Sequence, residues 1–307
     1  MPESTEGRAA AAGLYPIRTV ARRTGVNPVT LRAWERRHGL VRPKRTASGH
    51  RLYSDGDIER IRRIMEMLRA GVAIGQVAQA LEKAPDEAVE TASLDSAWVD
   101  YRQHMREAVR VFDSARLEHI YNEALAIYPV TLVTSRVIAP LLRELGEAWA
   151  RGEASVAEEH FFSVFLRNKL GARFHHRVGQ TSGARIVLAC LPGEVHEIGL
   201  MLFALSALAR NFRVVLLGAN LPLDPLPETT RQCGAEAVVL AGGASTSWAE
   251  VEPDFQQLVR ALDVPVAVGG GICEPHADAI RAAGGVVLGE DHDAALLALE
   301  TLLRRPR

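Results

Sequence analysis

Apolar positions change period twice along the chain, and the changes mark three parts. In the first, YPIRTVARRTGV spaces Ile17, Val20 and Ala21 along one helical face and stops at Gly25, a residue suited to ending a helix. NPVTLRAWERRHGL follows, with Asn27 as N-cap, Pro28 at the first helical position, and Val29, Leu31 or Trp34 as the apolar face. The pair reads as helix-turn-helix. VRPKRTASGHRLYS then places apolar Val41, Leu52 and Tyr53 on either side of a Ser48-Gly49 turn, which predicts a β-hairpin wing. Ser54 caps a further helix repeating Ile58, Ile61, Ile64, Met65 and Leu68, and AIGQVAQALEK closes this head.

A polar linker over 84–96 leads to a second part with helical spacing throughout: AWVDYRQHMREAVRVF, SARLEHIYNEALAIY, VTLVTSRVIAPLLRELGEAWARG and VAEEHFFSVFLRNKLGARFHH. Asp113-Ser114, Pro129 and Gly152 separate these stretches, and an antiparallel four-helix bundle is the simplest packing. From residue 184 short apolar strands alternate with helices in five βα units, beginning with ARIVLACL and FRVVLLG. A five-stranded parallel sheet with helices on both faces is expected, with ligands at the carboxyl ends of its strands. The predicted domains are 14–84, 97–177 and 184–305.

Charge sharpens the division. The net charge is −1, yet residues 14–83 hold 15 Lys and Arg against 6 Asp and Glu, while residues 84–307 hold 20 against 29. A basic head on an acidic body suits a phosphate-binding module joined to a sensory or assembly part, so duplex DNA is the expected partner. Thr30, Arg32, Arg36 and Arg37 occupy the polar positions of the second helix, as a helix in the major groove requires, and Lys44, Arg45 and Arg51 flank the hairpin turn. No apolar run reaches membrane-span length, and the start lacks a signal-peptide pattern, so a cytoplasmic location is expected. Cys190, Cys233 and Cys273 have neither zinc nor disulfide spacing and read as buried thiols.

Directly after the first strand of the third part, Gly193-Glu194-Val195-His196-Glu197-Ile198-Gly199 sets a His on a loop at a strand's carboxyl end. Imidazole is a good ligand for cobalt. A carboxylate two residues earlier can accept its other ring N–H and fix the tautomer, and Gly199 would let the helix start pack beneath a large ring. A lone loop His is usually nothing. Trp149, followed after nine residues by Glu159 and His160, could cover a planar ligand, although a helical Trp is more often core. The runs Ala241–Ser245 and Gly269–Gly271 could cradle a phosphate, but no G-x-G-x-x-G follows the first strand, which ranks a nucleotide oxidoreductase low.

Three motifs carry a resemblance over about 290 residues. Residues 15–83 resemble the MerR family of winged-helix regulators through I-x-x-V-A-x-x-x-G-V, T-L-R-x-W-E-R-R-x-G-L and G-x-R-x-Y-S. W-x9-E-H is similar to the pattern of the cobalamin-binding photoreceptor regulators of CarH and LitR type. E-x-H-x-x-G resembles the D-x-H-x-x-G signature of corrinoid-binding domains, with Glu in place of Asp. The implied fold is multidomain: an α winged helix-turn-helix head, a four-helix bundle and an α/β Rossmann-like cobalamin-binding domain.

The resemblance implies DNA contacts from Arg18, Thr30, Arg32, Arg36, Lys44, Arg51 and Tyr53, with Trp34 in the core. It implies adenosylcobalamin bound by Trp149, Glu159, His160, Glu194, His196, Gly199, Asn220, Leu221, Gly242, Gly243, Gly269 and Gly270, with His196 as lower ligand of cobalt. It implies no catalytic residue, but a repressor that binds operator DNA as a homo-oligomer, dimer or tetramer, and is released by green light. Two positions depart from the pattern. Asn220-Leu221 stands where Ser/Thr-x-Leu is usual, and Ala150 follows Trp149 where a second His is often found. The alternatives are a light-insensitive or cobalamin-independent regulator driven by a partner protein or another tetrapyrrole, and the corrinoid module of a methyltransferase.

Overall fold

A computed structural model describes residues 13–46, 48–70, 72–82, 94–153 and 155–304. The chain divides into two compact units between Phe162 and Ser163, inside one helix.

The first unit opens with β1 (Leu14–Pro16) and α1 (Ile17–Thr24), which ends where Gly25 adopts a φ of 72° and donates its N–H to Ala21. α2 (Pro28–Ala33) starts as the sequence predicts, the Asn27 side chain accepting from the Thr30 N–H at 2.8 Å. It runs on as a π-helical turn, Trp34–His38, closed by Gly39. β2 (Lys44–Arg45) and β3 (Arg51–Ser54) form the hairpin. Tyr15, which the apolar spacing places in a helix, instead pairs with Tyr53 in an antiparallel sheet of order β1-β3-β2. Distant pairing overrides local spacing here. Ser54 and Asp57 form a reciprocal capping box on α3 (Asp55–Arg69), and α4 (Ile74–Glu82) follows. Val20, Leu31, Trp34, Leu40, Tyr53 and Ile61 are fully buried and form the centre of the head.

Of the expected linker, residues 84–93 lie outside the described residues, while 94–96 already open α5 (Leu94–Arg110). α6 (Ser114–Ile127) is capped by Asp113. The stretch read as one helix over 130–152 is interrupted: α7 (Val130–Val133), a π-helical turn Thr134–Ile138, then α8 (Ala139–Ala150). Pro140 explains the break, because it has no N–H to give the carbonyl of Arg136 four residues earlier. The Arg102 guanidinium donates to that carbonyl instead, at 2.9 Å.

Among the described residues, two bonds to helix-end carbonyls join head and helices of this unit. Trp34 Nε1 donates to the Ile127 carbonyl at 2.9 Å, and Arg136 to the Arg69 carbonyl at 2.5 Å. Each fills an acceptor that the last turn of a helix leaves open. α9 (Val156–Val178) carries the chain from the first unit into the second.

The second unit holds β4 (Arg185–Cys190), β5 (Arg213–Gly218), β6 (Ala237–Ala241), β7 (Val266–Gly269) and β8 (Val286–Gly289). All pair in parallel, in the order β5-β4-β6-β7-β8, as the five βα units predict. Between them run α10 (Ile198–Ala209), α11 (Leu226–Cys233), α12 (Trp248–Ala261), α13 (Cys273–Ala282) and α14 (His292–Arg304). α13 is kinked at His276, whose φ of −123° departs from helical values. Chain direction reverses about β4, so the loops after β4 and β6 part there and open a crevice at the strands' carboxyl ends. Among the described residues no helix is long and apolar enough to cross a membrane.

Candidate cofactor site and nucleic-acid interface

At that crevice the loop after β4 carries Glu194 and His196. Glu194 is 4% exposed, yet its carboxylate has four donors. The His196 N–H and ring Nδ1 meet Oε1 at 2.8 Å each, and Oε2 accepts from the Gly243 N–H at 2.6 Å and Thr246 Oγ1 at 3.0 Å. Burial alone would raise its pKa, but the bonds from His196, Gly243 and Thr246 outweigh that and hold it below the usual carboxylate value. Nearby Cys190 is pushed up to about 12, by burial and then by the charges of Glu194 and Glu197. An ionised carboxylate beside Nδ1 favours the proton there, which leaves the Nε2 lone pair available on a side chain that is 69% exposed.

Asn220 locks the loop from the other side. At a φ of 49° it accepts the Gly193 N–H through Oδ1 at 2.8 Å and donates its own N–H to the Glu194 carbonyl at 2.8 Å. Leu221 is partly buried and packs against the core of the α/β unit. Gly242 and Gly243 are needed by the protein itself, since a Cβ there would lie 2.9 Å from Leu191 and 2.7 Å from Glu194. Gly270, at a φ of 94°, has the Gly242 carbonyl where a Cβ would go, and Gly269 accepts the Gly242 N–H at 3.1 Å. These four glycines interlock the loops after β6 and β7. Gly199 differs: a Cβ there would meet nothing within 4 Å, so its surroundings are open at the start of α10. Glu197 accepts from Arg167 of α9 at 2.6 Å, a tie that the sequence reading lacked.

The donor set can be tested against the group it would hold. Among the described residues no three His, Cys, Asp or Glu are grouped to bind a bare ion. One oriented imidazole beside glycine-lined loops fits a metal whose other positions a macrocycle already fills, as in a corrinoid.

In the first unit Trp149 ends α8 with 56% of its surface exposed, so it is not the core residue that a helical Trp usually is. Glu159 and His160 lie in the first turns of α9, with His160 Nδ1 at 3.0 Å from the Glu159 carboxylate and 2.9 Å from the Val156 carbonyl.

The head supplies a basic surface. Arg18, Arg32, Arg36 and Lys44 are exposed, and Arg18, Arg32, His50 and Arg51 line a concavity of about 560 Å³ between the start of α1, α2 and the hairpin. Two of the residues assigned to DNA belong elsewhere. Thr30 and Tyr53 are fully buried, and neither hydroxyl has a hydrogen-bond partner among the described residues. Thr30 faces inward from α2 with Leu31, and Tyr53 is the inward residue of β3; burial, then Glu35, pushes its phenol up to about 12. They pack the head rather than touch a duplex. Arg51 is not a free cation either, for it is paired with Glu35, a residue without a role in the sequence reading.

The MerR HTH family regulatory protein description matches residues 15–84, and the B12 binding domain description matches 101–173. The HTH-type transcriptional repressor CarH of Myxococcus xanthus is 33% identical over 277 residues, covering 85% of this chain and 90% of that protein. The repressor CarA of the same organism is 30% identical, covering 87% of this chain and 90% of its own length. Among solved structures, the monomethylamine corrinoid protein of Methanosarcina barkeri superposes with a TM-score of 0.54 at 20% identity, covering 66% of this chain and 99% of that one. That last likeness is one of fold. A MerR head, a B12-binding region and similarity to two repressors over nine-tenths of their length place this chain in the family of CarH-type cobalamin-binding transcriptional repressors, regulators rather than enzymes.

Proposed function

We propose that the chain is a cytoplasmic repressor that uses adenosylcobalamin as its ligand, assembles as a homo-oligomer on operator DNA in the dark, and leaves it under green light. The observation that carries this reading is the Glu194–His196 pair: a buried ionised carboxylate that orients one exposed imidazole. His196 would hold the metal through Nε2, with Glu194 accepting from Nδ1 and fixing the orientation of the ring. Trp149, with its exposed indole, and Glu159 and His160 at the start of α9 are the residues of the first unit that would meet the macrocycle. When bound, adenosylcobalamin supplies a photolabile cobalt–carbon bond, and that chemistry belongs to the cofactor.

The chain's own part is to convert occupancy into geometry. Arg102 pairs with Glu144 of α8, the helix that ends in Trp149, at 3.3 Å, and also holds the Arg136 carbonyl. Arg136 in turn bonds the end of α3 in the head. A shift of α8 therefore reaches the head through named bonds. In DNA binding, the exposed Arg18, Arg32, Arg36 and Lys44 contact the duplex.

The full chain, loaded with adenosylcobalamin in the dark, should grow in mass on a sizing column and shift a duplex that it has itself enriched from a random library. Green light should reverse both. A loaded chain with unchanged mass and DNA affinity in dark and light would sink the light-sensing part. A colourless chain that still shifts the duplex would favour a partner-driven regulator.

A further inference from the structure

The hairpin holds a conflict of charge. Arg45 and Arg51 are register partners on facing strands, and like charges directly opposite on an antiparallel ladder repel. β2 has two residues, so the ladder itself gives little to resist them. Glu35, on the π-helical turn that follows α2, answers both. Its Oε1 accepts from Arg45 at 2.7 Å and its Oε2 from the Arg51 Nε. The Glu35 side chain is 16% exposed and that of Arg51 is 21%, so this ion pair is shielded in a way that surface pairs are not. Burial opposes the charge on Glu35, but the bonds from Arg51 and Arg45 prevail and keep it ionised below the usual range. By contrast, Arg18, Arg32 and Arg36 are exposed and have no ion pair among the described residues.

We infer that Glu35 is a positioning residue for DNA binding: it clips the last rung of the hairpin to the second helix and withholds Arg45 and Arg51 from the phosphate backbone. The inference rests on the head being the DNA-binding part. It differs from a merely structural role in what salt does. Each cation that neutralises a phosphate steepens the fall of log affinity with log salt by about 0.9. A withheld arginine contributes nothing to that slope.

Fluorescence anisotropy of the full chain, in one ligand state throughout, would use two labelled duplexes: one enriched from a random library by the parent chain, and a scrambled duplex of equal length. Glu35→Gln should bind the scrambled duplex more tightly at low salt, with a slope steeper by about two phosphate contacts, and lose about tenfold in preference for the enriched duplex. Glu35→Asp, which keeps the charge, should recover most of that preference. Arg45→Gln leaves the Arg51 pair in place and should keep the parent's slope; this holds the test open even where Glu35→Gln folds poorly. The inference is overturned where Glu35→Gln keeps the parental slope and preference, or where Arg45→Gln lowers the slope by about one. Failure of the parent itself to bind either duplex would instead refute the assignment of the head.

Discussion

Two carboxylates in this molecule have similar surroundings and opposite effects. Glu194 in the α/β unit and Glu35 in the head are both shielded, both ionised, and both bonded to nitrogen donors from separate elements. Glu194 accepts from one ring nitrogen of His196, which leaves the far nitrogen on the side away from the carboxylate. Glu35 meets two guanidinium groups and takes their charge out of use. The difference lies in the partner: an imidazole has a second nitrogen on its far side, whereas a paired guanidinium gives up much of its attraction for phosphate. A buried anion can therefore expose a function or withhold one.

The comparison predicts a graded set of losses. Glu194→Gln should keep the loop's size but lose the charge that fixes the Nδ1 proton, and affinity for adenosylcobalamin, followed by dialysis and absorbance, should fall about 10- to 100-fold. An affinity within twofold of the parent would mean that the loop backbone alone aims His196. A pH series sharpens the same point. With its folded pKa below the unfolded value of about 4.3, Glu194 contributes its full stability above that pH and loses it as pH falls through the folded value. Thermal melting of parent and Glu194→Gln apoprotein should thus differ most near neutrality and converge in acid. A constant gap down to the lowest pH would contradict an ionised Glu194.

Ala150 offers a gain rather than a loss. A methyl group cannot coordinate metal, so after illumination the corrinoid should leave the parent slowly, and Ala150→His should lengthen its retention severalfold. Equal retention would show that another side chain, such as His160, already takes that place. The smallest effect is assigned to Thr246→Val, which deletes one of the four donors to Glu194. A loss of about 1 kcal/mol in stability is expected from chemical denaturation, because the carboxylate oxygen keeps the Gly243 N–H.

What the sequence shows and what it hides follow from distance along the chain. Glu194, His196 and Gly199 are contiguous, so their spacing alone suggested an oriented imidazole. Thr246 and Gly243, which complete the carboxylate's shell from 52 and 49 residues away, announced only a loop of small residues. The helix starts at Asn27 and Ser54 were legible because capping is local chemistry. The strand Leu14–Pro16 was not, since its partner lies on β3, and the turn before Pro140 was missed because its carbonyl is rescued by Arg102 from another helix. Thr30 and Tyr53 look like DNA contacts by type; only the packed head shows that they face inward. Glu35 stood inside a recognised motif, yet its partners ten and sixteen residues on give no sequence sign of the clip.

The most direct test of the account is the absorption spectrum of the dark, adenosylcobalamin-loaded chain beside that of His196→Ala. The parent is predicted to show the spectrum of a cobalamin whose lower ligand is a protein imidazole, and His196→Ala to lose that spectrum together with most of its cofactor affinity. An identical spectrum at identical affinity in the variant would contradict the assignment of His196, and with it the role given to Glu194.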